Sequence, residues 1–283
     1  MEGQKKAYPV CMLCRVMEVS RSGVYDYVQR GSRGDESGDA VELIAQGKTI
    51  HAETGQSYGS RRMAKQLQDN GYQVTRYRAR SLMCKADVAV KRKKRFKVTT
   101  ESRHNYPVAP NLLARQFDVE APNRVWGADI TYLWTMQGWL YLAVVIDLYS
   151  RKVVGWSMSR WLRAELVHDA LVMALWRRRP NSGLMHHSDR GSQYACEEYR
   201  KLLKRYGVVC SMSRKGDCWD NAVVERFFRS LKSERTDHRL YRTREEARRD
   251  VIDYIEMFFN SRRKHSSLGY ISPNEFEEFT MVA

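Results

Sequence analysis

The chain has 283 residues, 43% of them hydrophobic, which excludes wholesale disorder and suffices for one large domain or two smaller ones. Its 49 lysines and arginines exceed 33 acidic residues, for a formal net charge of +16 at pH 7. Such an excess indicates a polyanionic partner, although a merely basic soluble protein stays open. No membrane partner is expected, because the longest strongly apolar stretch, Tyr141 to Ile146, is far below the roughly 20 residues of a spanning helix. The N-terminus lacks a secretory signal, and six scattered cysteines fit a reducing cytoplasm.

Two helical segments at the start of the chain favour DNA binding. The first, residues 1–38, contains VCMLCRVMEVSRSGVYDYVQR, which is typical of a helix-turn-helix. In the second, residues 39–90, a helix predicted from GSRRMAKQLQDNG ends at Asn70-Gly71, and Thr75 caps the next helix, RYRARSLMCKA. The alternative is an ordinary helical pair with a solvated basic face. Since arginines near the second helix of such a motif meet phosphates and base edges, we expect nucleic-acid contacts from Arg61, Arg62, Arg76, Arg78 and Arg80.

The pair Cys11 and Cys14 suggests a zinc or redox site, but no second pair lies at ligand spacing. Apolar positions on a short helix are the favoured interpretation. A basic run, AVKRKKRFK, extends from Ala89 to Lys97. Residues 91–120, which contain most of this run, are predicted to be a linker that either follows a phosphate backbone or separates two domains.

Residues 121–240 alternate strands and helices. RVWGADITYLWT and GWLYLAVVIDLYS predict a hairpin that turns near Met136-Gln137-Gly138, and RKVVGWSMS predicts a third strand. Helix, strand, helix, strand and a long helix from Asn221 follow, and residues 241–283 are expected to be a helical extension. A mixed five-stranded α/β sheet with flanking helices in this order is that of the ribonuclease-H-like fold.

Three acidic residues are predicted to meet at one edge of this sheet. Asp129 lies in the middle of the first strand, where a buried acid is costly unless it is paired or bound to metal. Asp189 ends the fourth strand, which a crossover helix should place parallel to the first. On the last helix, Glu225 lies between the apolar face and a polar stripe formed within about 40° by Asn221, Arg229 and Lys232.

Three other acids compete for these roles. Hairpin register pairs Asp129 with a position near residue 143. Asp147 lies four residues farther along that strand and therefore roughly 13 Å from Asp129, so it is expected to shape the DLYSR turn. Asp220 precedes the last core helix and is interpreted as its N-cap. Asp217 stays possible as an outer-sphere group.

Carboxylates are hard oxygen ligands, and three of them can hold two Mg²⁺ (or Mn²⁺) ions roughly 4 Å apart. The sequence therefore predicts a two-metal site for displacement at phosphorus, formed by Asp129, Asp189 and Glu225. The excess positive charge would hold DNA across that site.

The 35 residues between Asp189 and Glu225 resemble the D,D(35)E signature of retroviral integrases and insertion-sequence transposases. More narrowly, HSDRGSQY, CWDNAVVERFFRSLKSE and NSRRKHSSLGYISP resemble the second-reading-frame (OrfB) product of the large insertion-sequence family closest to retroviral integrases. This similarity runs from about Val19 to Phe276. It implies Asp129, Asp189 and Glu225 as the catalytic triad, and Lys232 as a contact to the transposon end. The sequence departs from the family at WGAD, where a larger or polar residue usually precedes the first aspartate.

The resemblance also implies chemistry and partners. Water would cut DNA at the end of the element to leave a 3′-OH, and this hydroxyl would then attack a second phosphodiester without a covalent protein–DNA intermediate. The expected partners are the terminal inverted repeats and target DNA, further copies of the chain in a dimer or larger assembly, and an upstream-reading-frame protein as partner or fusion. A bacterial cytoplasmic, nucleoid-associated location follows.

Two other classes of function stay open on the sequence. One is a transposase-derived DNA-binding regulator with an idle core, against which the intact acidic triad argues. The other is a structure-selective nuclease of the same fold, which would cut DNA but never join it.

Overall fold

In the computed structural model, which describes residues 9–32, 38–90, 106–214 and 218–282, five strands form one mixed sheet. The strands are β1 (Val125–Thr135), β2 (Gly138–Asp147), β3 (Val153–Ser159), β4 (Met185–Ser188) and β5 (Val209–Met212). Their order across the sheet is β3-β2-β1-β4-β5. The first three strands are antiparallel neighbours, whereas β4 is parallel to both β1 and β5. The predicted ribonuclease-H-like arrangement is confirmed.

The β1–β2 hairpin turns at Met136 and Gln137, as predicted, but its register differs by one residue from the prediction. Asp129 lies opposite Val144 rather than residue 143. The difference arises because Gly138 already pairs with Thr135, so only two residues form the turn. Gly138 adopts φ +97°, a conformation that a residue with a Cβ rarely takes.

Helices cover both faces of the sheet, as the nearly continuous apolar character of β2 predicts. On one face lie α6 (Ala164–Arg178), the short α7 (Ser192–Ala195) and α8 (Glu197–Arg205), which pack on Trp126, Ala128 and Val145. On the other face lie α9 (Ala222–Glu234) and α10 (Arg244–Ile252), which pack on Leu142, Val144 and Ile146. Alternation of side chains along each strand therefore decides which face a residue serves.

In the described part of the chain before the sheet lie five helices: α1 (Val10–Val16), α2 (Arg21–Ser32), α3 (Gly38–Glu53), α4 (Ser60–Asp69) and α5 (Arg76–Lys85). Thr75 caps α5, because its hydroxyl accepts a hydrogen bond from the backbone N–H of Arg78. Helix α3 was not predicted from the sequence pattern; it buries Leu43 and Ile50 in a separate apolar cluster with residues of α4 and α5.

A buried ionic cluster joins this helical region to the elements that pack on the sheet. Glu234, at the end of α9, accepts hydrogen bonds from Arg263 (2.6 and 2.7 Å), Tyr254 (2.7 Å) and Arg62 of α4 (3.3 Å). The side chain of Arg263 is only 5% exposed. Burial alone would raise the pKa of Glu234, but the charges of Arg263 and Arg62 outweigh burial and hold this pKa below its ordinary value.

Two further segments are fastened to the core. Asp220 joins the segment 106–120 to Arg214, a residue of the loop that follows β5. The same segment is bound to β5 itself, because the Ser211 hydroxyl accepts hydrogen bonds from the N–H groups of Leu112 and Leu113. Beyond α10, the helix continues as a π-helical turn, Asp253–Phe259, and the chain ends with α11 (Pro273–Val282). Among the described helices, none has both the length and the apolar character needed to cross a membrane.

We predict that Glu234→Gln destabilises the protein by about 3–5 kcal/mol, because it leaves the buried guanidinium of Arg263 without a compensating charge. Urea unfolding at pH 7 measures this loss. Because the pKa of Glu234 is depressed on folding, its stabilising contribution is present above about pH 4.5 and disappears as the pH falls further.

Glu197→Gln is the matched control, since Glu197 pairs with Lys201 on the surface of α8 with 72% of each side chain exposed. Its expected cost is below about 0.5 kcal/mol. Equal losses for the two variants would show that the Glu234 cluster does not hold the helical region on the core.

Candidate active site

Strand register brings Asp129 and Asp189 together. Strands β1 and β4 are parallel, and their ladder pairs Gly127 with His187. Asp129 and Asp189 follow Gly127 and His187, respectively, by two residues in the same direction. Two residues preserve the face of a strand, and neighbouring strands lie about 4.8 Å apart. Both carboxylates therefore leave the same edge of the sheet on the face covered by α9, as the sequence predicts.

Close packing of α9 on β1 adds the third acid. A Cβ atom at Gly127 would lie 2.9 Å from Cγ2 of Val224 and 3.2 Å from Cδ2 of Leu148, so only glycine permits this separation. Glu225 directly follows Val224 and lies half-buried beside Asp129. Gly127 of WGAD thus accommodates the helix that carries the glutamate.

The electrostatics agree with this convergence. Burial and then the charges of Asp189 and Glu225 raise the pKa of Asp129 well above its ordinary value, while the N–H of Ile130 and the charge of Lys232 oppose the shift. Burial also raises the pKa of Glu225, and Arg229 opposes that rise. A buried carboxylate whose pKa is raised by neighbouring carboxylates, as that of Asp129 is, is typical of sites that bind cations.

The donor chemistry of the three acids fits divalent metal, although their present positions are not those of a closed coordination shell. Within the described ranges, no three His, Cys, Asp or Glu side chains are grouped closely enough to hold an ion. Instead Asp129 Oδ1 accepts a hydrogen bond from the N–H of Ile130 at 2.7 Å, and Asp189 Oδ1 accepts one from Gly191 at 2.9 Å. Small side-chain rotations would free these oxygens for a hard cation.

Asn221 does not lie on the polar stripe predicted for it. Its side chain is buried, and its Nδ2 donates a 3.0 Å hydrogen bond to the carbonyl of Ala128. Periodicity places it at the right helical angle, but residues 218–221 form a 3₁₀ turn before α9 begins, which directs this amide toward β1. In this structure Asn221 therefore holds the backbone next to Asp129, and its contact with nucleic acid stays a prediction.

The interpretation of Asp220 as an N-cap is also wrong. Asn221 occupies the cap position of α9. The carboxylate of Asp220 is buried and accepts hydrogen bonds from Arg214, Asn111 and Arg115 at 2.8–3.0 Å. Hydrogen bonds from Arg214 hold its pKa well below the ordinary value, despite the opposing effect of burial. Asp220 thus anchors the loop that leads to α9.

Asp147 has the structural role predicted for it. It accepts hydrogen bonds from the N–H groups of Asn123 and Tyr149 and pairs with Arg178 at 3.3 Å. It lies opposite Trp126, on the sheet face away from Asp129. Asp217, the possible outer-sphere group, lies outside the described residues.

Two of the predicted cations are on α9, close to the three acids. Lys232 is half-buried, with Nζ 5.1 Å from the centre of the Tyr132 ring, and its charge acts on Asp129. Arg229 is exposed and acts electrostatically on Glu225. Both positions are compatible with contacts to a polyanion.

The predicted cations of the helical region divide into two groups. Arg61, Arg76, Arg78 and Arg80 are exposed. Arg62 instead pairs with Glu234, and its guanidinium lies 5.6 Å from the centre of the Tyr58 ring. Burial and the neighbouring charge of Arg263 lower the pKa of Arg62, although Glu234 opposes them. In this structure Arg62 therefore pairs within the protein, and its contact with DNA stays a prediction.

Tyr194 is a residue near the site that sequence reasoning missed. It is 1% exposed, and its hydroxyl has no hydrogen-bond partner in the described structure. Burial raises its pKa well above the ordinary value, with contributions from Asp129 and Asp189. Its place in HSDRGSQY, five residues after Asp189, was the available signal.

Comparisons with known proteins match the two parts of the chain separately. A family described as an HTH-like domain matches residues 39–96. Two families described as integrase core domains match residues 119–218 and 206–273.

Individual relatives match nearly the whole chain. The 31 kDa protein of insertion element IS600 from Shigella sonnei is 45% identical over 94% of this chain and 97% of its own length. Transposase InsF of insertion sequence IS3A from Escherichia coli K12 is 40% identical, covering 98% of this chain and 96% of its own. Among solved structures, the HTLV-2 integrase catalytic core domain in complex with magnesium is 20% identical with a TM-score of 0.32, covering 38% of this chain and 66% of that one.

We predict that Gly127→Ala weakens divalent-metal binding about tenfold and costs about 1–3 kcal/mol of stability, because the added methyl group pushes α9 away from β1. Electron paramagnetic resonance of Mn²⁺ measures the first effect, and urea unfolding measures the second.

Gly47→Ala in α3 is the control, since a Cβ at Gly47 meets nothing within 4 Å. It should leave Mn²⁺ binding unchanged and stabilise the helix by about 0.5–1 kcal/mol. Unaltered Mn²⁺ affinity in a destabilised Gly127→Ala protein would contradict the role assigned to this close contact.

Proposed function

Because this chain belongs to the IS3-family transposases that carry an integrase core domain, we propose that it acts as a metal-dependent polynucleotidyl transferase that cuts and joins DNA strands. The observation that carries this proposal is the convergence of Asp129, Asp189 and Glu225 on one sheet edge, through strand register and the close α9–β1 contact. Burial and the charges of Asp189 and Glu225 raise the pKa of Asp129, and a bound divalent cation would relieve both effects.

Asp129, Asp189 and Glu225 would hold two Mg²⁺ or Mn²⁺ ions in this proposal. When bound, the ions supply Lewis-acid activation of the attacking oxygen and charge stabilisation at the leaving oxygen. The protein's own contribution is position. Register sets the two aspartates, Gly127 sets α9, and Asn221 holds the carbonyl of Ala128 at the start of the active edge.

The reaction would proceed in two displacements at phosphorus. In the first, a water oxygen bonds to phosphorus, the bond to the bridging 3′ oxygen breaks, and a proton passes to that oxygen to leave a 3′-OH. In the second, this hydroxyl bonds to the phosphorus of another phosphodiester, whose own bridging oxygen leaves and takes up a proton. Since bonds made and broken balance in each step, neither a nucleotide cofactor nor a covalent protein–DNA intermediate is required.

The HTH-like domain identifies DNA as the partner, and we assign the element's terminal inverted repeats and target DNA as its substrates. The exposed Arg76, Arg78 and Arg80 of α5 would contact the repeat, and Lys232 and Arg229 would contact the end at the active site. Two ends must be held for joining, which favours a dimer or larger assembly, and an upstream-reading-frame protein as partner or fusion. The bacterial cytoplasm, at the nucleoid, is the location where these substrates occur.

We predict that Glu225→Gln abolishes metal-dependent strand cleavage and joining by at least about a thousandfold while DNA binding persists, because the amide cannot replace an anionic metal ligand. A labelled duplex with a pre-nicked terminal repeat, mixed with target DNA and Mg²⁺, measures joining directly.

Glu198→Gln on α8 is the control, since Glu198 is an exposed carboxylate on a helix that packs on the sheet face opposite α9. A wild-type protein that cuts but never joins would establish a nuclease instead. Binding without either reaction, in the presence of Mg²⁺ and its upstream partner, would establish a regulator.

We predict that Arg80→Ala weakens binding to the terminal repeat and reduces the slope of log affinity against log salt by about 0.9, the value for one lost phosphate contact. Lys48→Ala on the exposed side of the neighbouring helix α3 removes an equal charge and should leave the slope nearly unchanged. Fluorescence anisotropy at several salt concentrations distinguishes the two, and equal slopes for both variants would contradict the assignment of α5.

A further inference from the structure

Two exposed tryptophans and one half-buried tyrosine form a strip on the β1–β2 hairpin that the proposed chemistry does not use. Its members are Tyr132, Trp134 and Trp139. The two tryptophans are 55% and 42% exposed, and Met136 at the hairpin turn is 66% exposed. Large apolar side chains grouped on a surface indicate a contact site, because their exposure to water is unfavourable.

The strip is continuous with the candidate active site. Lys232 Nζ lies 5.1 Å from the centre of the Tyr132 ring. That ring packs edge-on against Trp139 with centres 4.9 Å apart, and Trp139 packs edge-on against Trp134 at 4.8 Å. A chain of direct contacts therefore runs from the cation that acts on Asp129 to the tip of the hairpin.

Cations lie at the same end of the sheet as the strip. Strands β1 and β3 run in the same direction, so the loop after β3 leaves the sheet at the hairpin end, where Ser159 pairs with Tyr141. In this loop Arg160 and Arg163 lie 5.2 and 5.5 Å from the centre of the Trp161 ring, which is 52% exposed. Arg244, at the start of α10, donates a 3.0 Å hydrogen bond from Nε to the carbonyl of Trp139.

We propose that this aromatic strip binds the unpaired terminal bases of the DNA end whose strand is cut at the active site. The inference rests on the proposed function, which places a DNA end beside Lys232. A paired base inside a duplex offers no free ring face, whereas a frayed or single-stranded base can stack on Tyr132, Trp134 or Trp139. Arg160, Arg163 and Arg244 then supply the charge that the accompanying phosphates require.

The positive flanks favour DNA over a second copy of the chain. An interface between copies would bring the same cations of both subunits together, and the net charge of +16 opposes such an approach. A nucleic acid is attracted by the same charges that repel a copy, and its bases are the apolar partners that exposed indole rings accept.

The test measures the binding of fluorescein-labelled oligo(dT) to the full chain, with Glu225→Gln in the background and EDTA present, so that catalysis plays no part. We predict that Trp134→Ala combined with Trp139→Ala weakens oligo(dT) binding about tenfold, the size expected for loss of stacking. Trp134→Phe should retain most of the affinity, since it keeps an aromatic face. Trp176→Ala, which removes a 69% exposed tryptophan of α6, should have no effect.

A second arm uses terminal-repeat duplexes in which 2-aminopurine replaces the final bases of one strand. When the duplex is bound to the protein, stacking on the strip should quench the fluorescence of 2-aminopurine. The single variant Trp134→Ala should lose this quenching. Because Trp134 is exposed, the substitution does not disturb the core. Circular dichroism confirms that each variant is folded.

The outcomes separate the two proposals. Absence of strand joining by the wild-type protein overturns the proposed function, yet leaves oligo(dT) binding by the strip as a separate result. Oligo(dT) affinity that is the same in the double variant as in Trp176→Ala overturns the strip as a DNA site. If that affinity is unchanged while the assembly mass falls in light scattering, the strip is instead an interface between copies.

Discussion

The architecture of the active edge depends on one close approach, that of α9 to β1 at Gly127. Because no side chain intervenes, the helix lies near enough for Val224 to fill the space above the strand. Glu225, the next residue, then reaches Asp129. A helix held one side chain farther away would have the same sequence and the same amphipathic face, but would leave its glutamate outside the site.

This approach places three acids where they destabilise one another, and the surrounding structure compensates for that repulsion. Backbone N–H groups bond Asp129 and Asp189, and the charge of Lys232 opposes the rise in the pKa of Asp129. Beneath them, Asp220 ties the preceding loop to Arg214 and Arg115. A site that repels its own charges needs a rigid frame, and it gains most from a bound cation.

The same helix also connects the site to the DNA-binding region. Nine residues after Glu225, Glu234 binds Arg263 and Arg62, so that the end of α9 rests against α4. Nine helical residues span about 14 Å, and such a short rigid element can transmit a shift of the helical region to the acid cluster. One helix therefore carries Glu225 in its first turn and contacts α4 through Glu234 at its last residue.

Local chemistry let the sequence by itself determine the order of strands and helices around the sheet, the hairpin turn and the Thr75 cap, whereas helix α3 was missed. These features depend on periodicity, turn residues and spacing, which are properties of neighbouring residues. Only the tertiary structure decided the roles of Asn221, Asp220 and Arg62, since each side chain is bonded to a partner distant in sequence. Helical angle alone cannot distinguish an amide that faces solvent from one that faces a strand, because the partner arrives only when the chain folds.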